Sequence, residues 1–161
     1  MSKISYCLWF DTEAEEAARF YTSLFKDGKI HQISRYGEEG FDIHGKPAGS
    51  VLTVAFEIDG RTYLALNGGP QFKFNESISL VITCEDQKEV DFYWSRLISE
   101  GGMESQCGWL KDRFGVSWQV VPRILSELLS DPDKEKSSRV MQALLAMQKL
   151  DIEKLKQAHQ G

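Results

Sequence analysis

The residues of this chain that could do chemistry are few and scattered. Cys7, Cys84 and Cys107 are three in number with no CxxC spacing. Neither a disulfide framework nor a zinc knuckle is expected from them, and packed apolar thiols are the plain reading. His31 falls on an outer strand, His44 in a loop, and His159 two residues from the end. No Ser–His–Asp or Cys–His set can be assembled from them. The densest stretch is QCGWLKDRFGVSWQVVP, residues 106–122. Trp109 and Trp118 flank a turn signal at residues 111–115, and Gln119 follows in a run otherwise patterned as buried strand. An uncharged amide there either satisfies nearby backbone groups or reads a ligand through its own donor and acceptor. Cys107 lies on the same strand face as Trp109 and is either a packed thiol or a reactive one.

The elements that must position these residues repeat. Residues 4–10 read as a strand. Thr12 and Glu15 make a capping box, and Ala14, Ala17, Ala18, Tyr21, Leu24 and Phe25 form one apolar stripe that ends at Gly28. A strand over 29–36 and a Gly-rich loop over 37–49 follow. Strands 50–58 and 61–67 meet across Asp59-Gly60, a strong signal for a two-residue hairpin. The cycle then restarts with strand 77–84. Asp86 is the N-cap with Glu89 at the reciprocal position. Val90, Tyr93, Trp94, Leu97 and Ile98 make the next stripe, and strands 104–110 and 116–121 close the module. Phe20-Tyr21 matches Phe92-Tyr93, and Ser23 matches Ser95, a repeat of about seventy residues. After Pro122 a short helix over 123–130 is interrupted by SDPD. A helical region over 134–159 follows, with a break and a cap at Asp151. Its apolar side (Val140, Met141, Leu144, Leu145, Met147 and Leu150) docks either on its own core or on a partner subunit.

Composition bounds the function. The chain has 161 residues and a formal net charge of -5. That length suits one domain, or two small halves sharing a core. The acidic balance argues against nucleic acid, which needs clustered Lys and Arg. Apolar runs are too short for a membrane span, and the N-terminal stretch lacks a signal-peptide layout. A cytoplasmic protein is expected.

The repeat, together with CLWFD, AARFYTSLF, QCGWLKDRFGVSWQVVP and VMQALLAMQKLDI, resembles the PhnB-like proteins. These often carry the label 3-demethylubiquinone-9 3-methyltransferase. They belong to the vicinal oxygen chelate superfamily, with glyoxalase I, bleomycin resistance proteins and extradiol dioxygenases. The resemblance covers residues 4 to about 156. It implies an α+β fold in which two βαβββ modules, 4–69 and 76–122, form a cup-shaped mixed sheet. The helical tail 123–161 completes a single glyoxalase-like domain over residues 1–161. A homodimer is implied as well.

Catalysts of the superfamily hold a divalent metal in that cup with His and Glu. Here the resemblance places Ser5 (or Tyr6), Asn67 (or Ala65), Ser79 and Gln119 at the ligand positions. Neutral hydroxyls and amides are poor replacements for imidazole and carboxylate. No metal and no cofactor are therefore expected. The expected site is a cavity for a small organic molecule, lined by Trp9, Asn67, Phe74, Ser79, Trp109 and Gln119. Aromatic walls with a few polar groups are the usual makeup of such sites. A sequestering protein, a metal-free enzyme and a divalent-metal enzyme of the lyase, isomerase or dioxygenase class remain open. The methyltransferase label is not expected to describe an activity. An S-adenosylmethionine enzyme of the usual fold needs a Gly-rich turn from strand into helix, and NGGP at 67–70 is followed by another strand.

Overall fold

A hairpin closed by Asp59 and Gly60, with φ of 49° and 66°, is the centre of the first half of the chain. Both values are left-handed, as a two-residue hairpin turn requires. The computed structural model describes residues 3–161, which divide into one unit running to Phe74 and one over Asn75–Gly161. Each unit contains a four-stranded mixed sheet. Among the described residues no helix is long and apolar enough to cross a membrane.

In the first unit β1 (Tyr6–Phe10), α1 (Ala14–Leu24), β2 (Lys29–Arg35), a single turn α2 (Phe41–His44), β3 (Val51–Ile58) and β4 (Arg61–Asn67) follow one another. The sheet order is β1-β4-β3-β2, with β1 parallel to β4 and the rest antiparallel. Ala14, Ala17, Ala18, Tyr21 and Leu24 of α1 are buried, as are Val54, Phe56 and Ala65 of the sheet. The stripe read from the sequence is thus the packed face. The expected Thr12–Glu15 capping box does not form. Glu13 occupies the N-cap and gives no side-chain cap bond. The Ala14 N–H instead donates to Asn67 Oδ1 at 2.8 Å.

The second unit has β5 (Leu80–Cys84), α3 (Gln87–Leu97), β6 (Met103–Glu104), β7 (Trp109–Lys111) and β8 (Ser117–Pro122), in sheet order β5-β8-β7-β6. Asp86 caps α3 as expected, accepting from Glu89 N at 2.9 Å. The returning Glu89 carboxylate takes the Glu85 N–H rather than that of Asp86. Val90, Trp94 and Leu97 are the buried residues of α3. They answer Ala17, Tyr21 and Leu24, so the packed faces of the two helices correspond one residue away from the letter match of the Phe-Tyr pairs.

The expected strand 104–110 is broken. Cys107 and Gly108 have φ of 58° and 83° and form a turn between β6 and β7. Cys107 therefore does not alternate on one strand with Trp109. The tail forms α4 (Ile124–Leu129), α5 (Lys134–Leu145) and α6 (Ile152–Gln160). Asp133 and Asp151 cap the last two. Leu125, Leu128, Val140, Leu144, Leu150 and Leu155 form one core cluster inside this unit. Most of the tail's apolar stripe thus packs on its own chain, while Met141 and Leu145 stay 42% and 61% exposed.

Candidate functional site

Three of the six residues expected around a cavity lie in the first unit, where they hold its loops. Asn67 is buried; besides capping α1 it donates from Nδ2 to the Val51 carbonyl at 3.1 Å. Its own carbonyl accepts from the Tyr36 hydroxyl at 2.6 Å. The Trp9 indole N–H donates to the Gly69 carbonyl at 2.8 Å. The ring lies so close over Gly68 that a Cβ there would overlap it, which accounts for the glycine after Asn67. Phe72 meets Trp9 edge to face at 5.0 Å, and Phe74 meets Phe10 in the same way at 5.1 Å.

The other three come together in the second unit. Gln119 Nε2 donates to Ser79 Oγ at 2.9 Å. Trp109 is the direct cross-strand partner of Gln119, and Val81 its partner on the opposite side. Directly paired residues share a sheet face, so Trp109, Gln119 and Val81 form one row. On the other face Trp118 and Val120 are buried core. Gln119 is half-buried, and its amide is bonded to the Ser79 side chain rather than to a backbone group.

Beside this row lies a cavity of about 570 Å³. Trp109, Met103, Glu104, Gln106, Cys107 and Lys111 are among the residues that line it. Its size falls within the range of about 300–1,000 Å³ usual for small-molecule sites. Glu104 accepts from the Trp94 indole at 2.8 Å. Lys111 pairs with Glu76, also on the wall, and holds the Glu76 carboxyl below the usual carboxylate range. The turn between β7 and β8 is set by the buried Asp112. Its carboxylate accepts from Phe114 N, Val116 N and Trp118 Nε1 at 2.9, 3.0 and 2.8 Å.

Sequence reasoning missed the wall residues Met103, Glu104 and Gln106, and the anchoring role of Asp112. Two signals were present. SQCG is a turn pattern inside the expected strand, and Asp112 three residues before Gly115 is an Asx-turn arrangement.

The residues at the superfamily's metal positions do not fit a divalent ion. Ser79 and Gln119 bond each other, Asn67 is engaged by Ala14 and Val51, and Ser5 is exposed ahead of β1. By ladder register the counterpart of Gln119 in the first unit is Leu64: Leu64 lies opposite Cys7 as Gln119 lies opposite Val81. That position offers no donor at all. Among the described residues no group of three or more His, Cys, Asp or Glu could hold a metal. Each histidine has a local partner: His31 meets Glu57, His44 meets the Glu39 carbonyl, and His159 meets Asp131. The thiols differ more than their sequence suggested. Cys7 is exposed rather than packed, and Cys107 is half-buried. Burial, aided by Glu89, Asp86 and Glu85, pushes the Cys84 thiol up to about 12, so it is inert.

The family model described as 3-demethylubiquinone-9 3-methyltransferase matches residues 2–121. Among solved structures, a PhnB protein from Bacillus cereus carrying the same methyltransferase description is 34% identical. The match covers 75% of this chain and 99% of that one, with a TM-score of 0.66. A protein from Pseudomonas aeruginosa is 19% identical over 76% of this chain and 98% of its own, with a TM-score of 0.58. The fosfomycin resistance protein FosX from Mesorhizobium loti is 14% identical over 81% of this chain and 99% of its own, with a TM-score of 0.55. The latter two agree in fold alone. No curated protein matches the chain. The matched family segment ends ahead of the tail, which the sequence resemblance had included.

Proposed function

Given that this chain belongs to the PhnB-like 3-demethylubiquinone-9 3-methyltransferase family of the vicinal oxygen chelate superfamily, we propose that it binds a small, partly aromatic or polar organic molecule without a metal. The observation that carries this reading is the cavity of about 570 Å³ with Trp109 on its wall, next to the uncharged Ser79–Gln119 pair. An indole face offers an apolar, orienting contact. The Gln119 amide and the Ser79 hydroxyl beside it offer uncharged donors and acceptors. The family's methyltransferase name describes no activity of this site. The loop after Gly68 and Gly69 leads into β5, not into a helix, so no strand-to-helix cradle for S-adenosylmethionine exists there.

The test combines metal analysis with ligand screening. Protein purified without chelator is expected to carry far less than one divalent ion per chain; a stoichiometric ion would overturn the metal-free reading. Anilinonaphthalene sulfonate, a fluorescent aromatic probe, is expected to bind in the cavity and to be displaced by hits from a small-molecule thermal-shift screen. A probe insensitive to Trp109→Ala would remove the cavity from consideration.

A cytoplasmic homodimer belongs to the same proposal. Exposed Met141 and Leu145 on α5 support a covered surface, and light scattering should give twice the chain mass.

A further inference from the structure

Everything beyond residue 121 lies outside the matched family segment, yet part of it sits directly behind the cavity. We propose that the crossing Met147–Leu150, between α5 and α6, is a positioning element of the cavity. It holds the turn Gln106–Gly108 that forms one wall. The proposal rests on the cavity reading above and adds to it a part of the chain that the family match does not reach.

The wall turn is clamped from two sides. The Gly108 carbonyl accepts from Val120 N of β8 at 2.8 Å. On the other side Cys107 N donates to the Met147 carbonyl, and Gly108 N to the Gln148 carbonyl, both at 2.8 Å. A Cβ built on Gly108 would stand 2.9 Å from the Val120 carbonyl oxygen and 3.1 Å from Leu150 Cδ1. A side chain at this position would press on the β8 carbonyl and on Leu150, from a backbone φ of 83° that favours glycine. The Cys107 side chain packs on the tail's core cluster and also lines the cavity, so one residue forms the partition between them.

The turn has a conformation that needs such support. Cys107 is a non-glycine residue at φ 58°, where L-residues are strained. Strained residues persist only when their surroundings over-determine them. Two backbone hydrogen bonds from the tail are part of that determination. The crossing is in turn fixed from its far side by α3. The Gln87 amide donates to the Leu150 carbonyl at 3.0 Å and accepts from Ile152 N at 2.8 Å. Lys149 Nζ pairs with Asp91 at 2.6 Å. A path of direct contacts therefore runs from α3 through the crossing to the cavity wall.

The experiment loosens the crossing without emptying the core. Gln87→Ala and Gln87→Ala/Lys149→Ala keep Leu150 and the apolar cluster. Amide hydrogen exchange at Cys107 and Gly108 is measured by NMR, with Leu110 and Asp112, whose N–H donates to the Val116 carbonyl, as internal references. Binding of anilinonaphthalene sulfonate and the Tm are followed in parallel. Exchange at Cys107 and Gly108 should rise by about tenfold, the scale of losing one protected hydrogen bond. The references should hold, and probe binding should weaken several-fold. Faster exchange with unchanged probe binding overturns the proposal and leaves the cavity reading standing. Unchanged exchange at both amides, or equal acceleration at all four, also overturns it. Probe binding that survives Trp109→Ala shows that the cavity reading itself fails, and the proposal fails with it.

Discussion

The two units share a strand order, β1-β4-β3-β2 and β5-β8-β7-β6, but use their polar side chains in opposite ways. In the first, α1 begins without a side-chain cap of its own, and the amide at the end of β4 takes over that task. In the second, Asp86 caps α3 from the adjacent residue. The start of α3 makes no demand on a strand side chain there, and Gln119 bonds Ser79 on the sheet face it shares with Trp109 and Val81. A helix that caps itself leaves its sheet available for a site. A helix that does not must take a donor or acceptor from elsewhere, because buried N–H groups at its first turn are costly when unpaired.

The largest expected effect tests how the second unit keeps its site-bearing hairpin. Asp112→Ala leaves the buried Trp118 indole N–H and two backbone N–H groups without their acceptor. A loss of about 4 kcal/mol in urea unfolding is expected. A loss under about 1 kcal/mol would mean that the turn holds by backbone geometry alone.

Next comes the contrast itself. Asn67→Ala should lower stability by about 1–2 kcal/mol through the lost cap and the bond to Val51, with probe binding unchanged. Trp109→Ala should do the reverse, with nearly unchanged Tm and about fivefold weaker probe binding, the equivalent of about 1 kcal/mol of aromatic contact. If both variants shift the same observable, the division of labour between the units is wrong.

The smallest effect concerns the anchor behind the cavity. Lys149 and Gln87, in that order, hold the Asp91 carboxyl below its ordinary value. A depressed carboxylate contributes stability that is complete above its unfolded value and is lost as pH falls through the lowered one. The Tm difference between wild type and Lys149→Met should therefore persist at neutral pH and close only below about pH 4. Both partners are exposed, so the contribution stays under about 1 kcal/mol. A difference that instead vanished on raising pH from 5 to 8 would assign it to another group.

What the sequence determined by itself was local. Asp59-Gly60 fixed a hairpin because the dipeptide tolerates two left-handed residues in a row. The buried stripe of α1, the Asp86 cap and the Asp151 cap were legible because each involves residues within a few positions of one another. The Gln119 side chain stood out as an uncharged amide in an apolar run, and its strand was readable from alternation. Tertiary structure decided the rest. Asn67 caps a helix 53 residues away, and Gln119 meets Ser79 across 40 residues. The wall turn takes its acceptors from carbonyls in the tail. A buried donor needs an acceptor within about 3 Å, and any part of the chain that folds into that space can supply one. Local patterns show that the donor exists, but only the packed chain selects which acceptor reaches it.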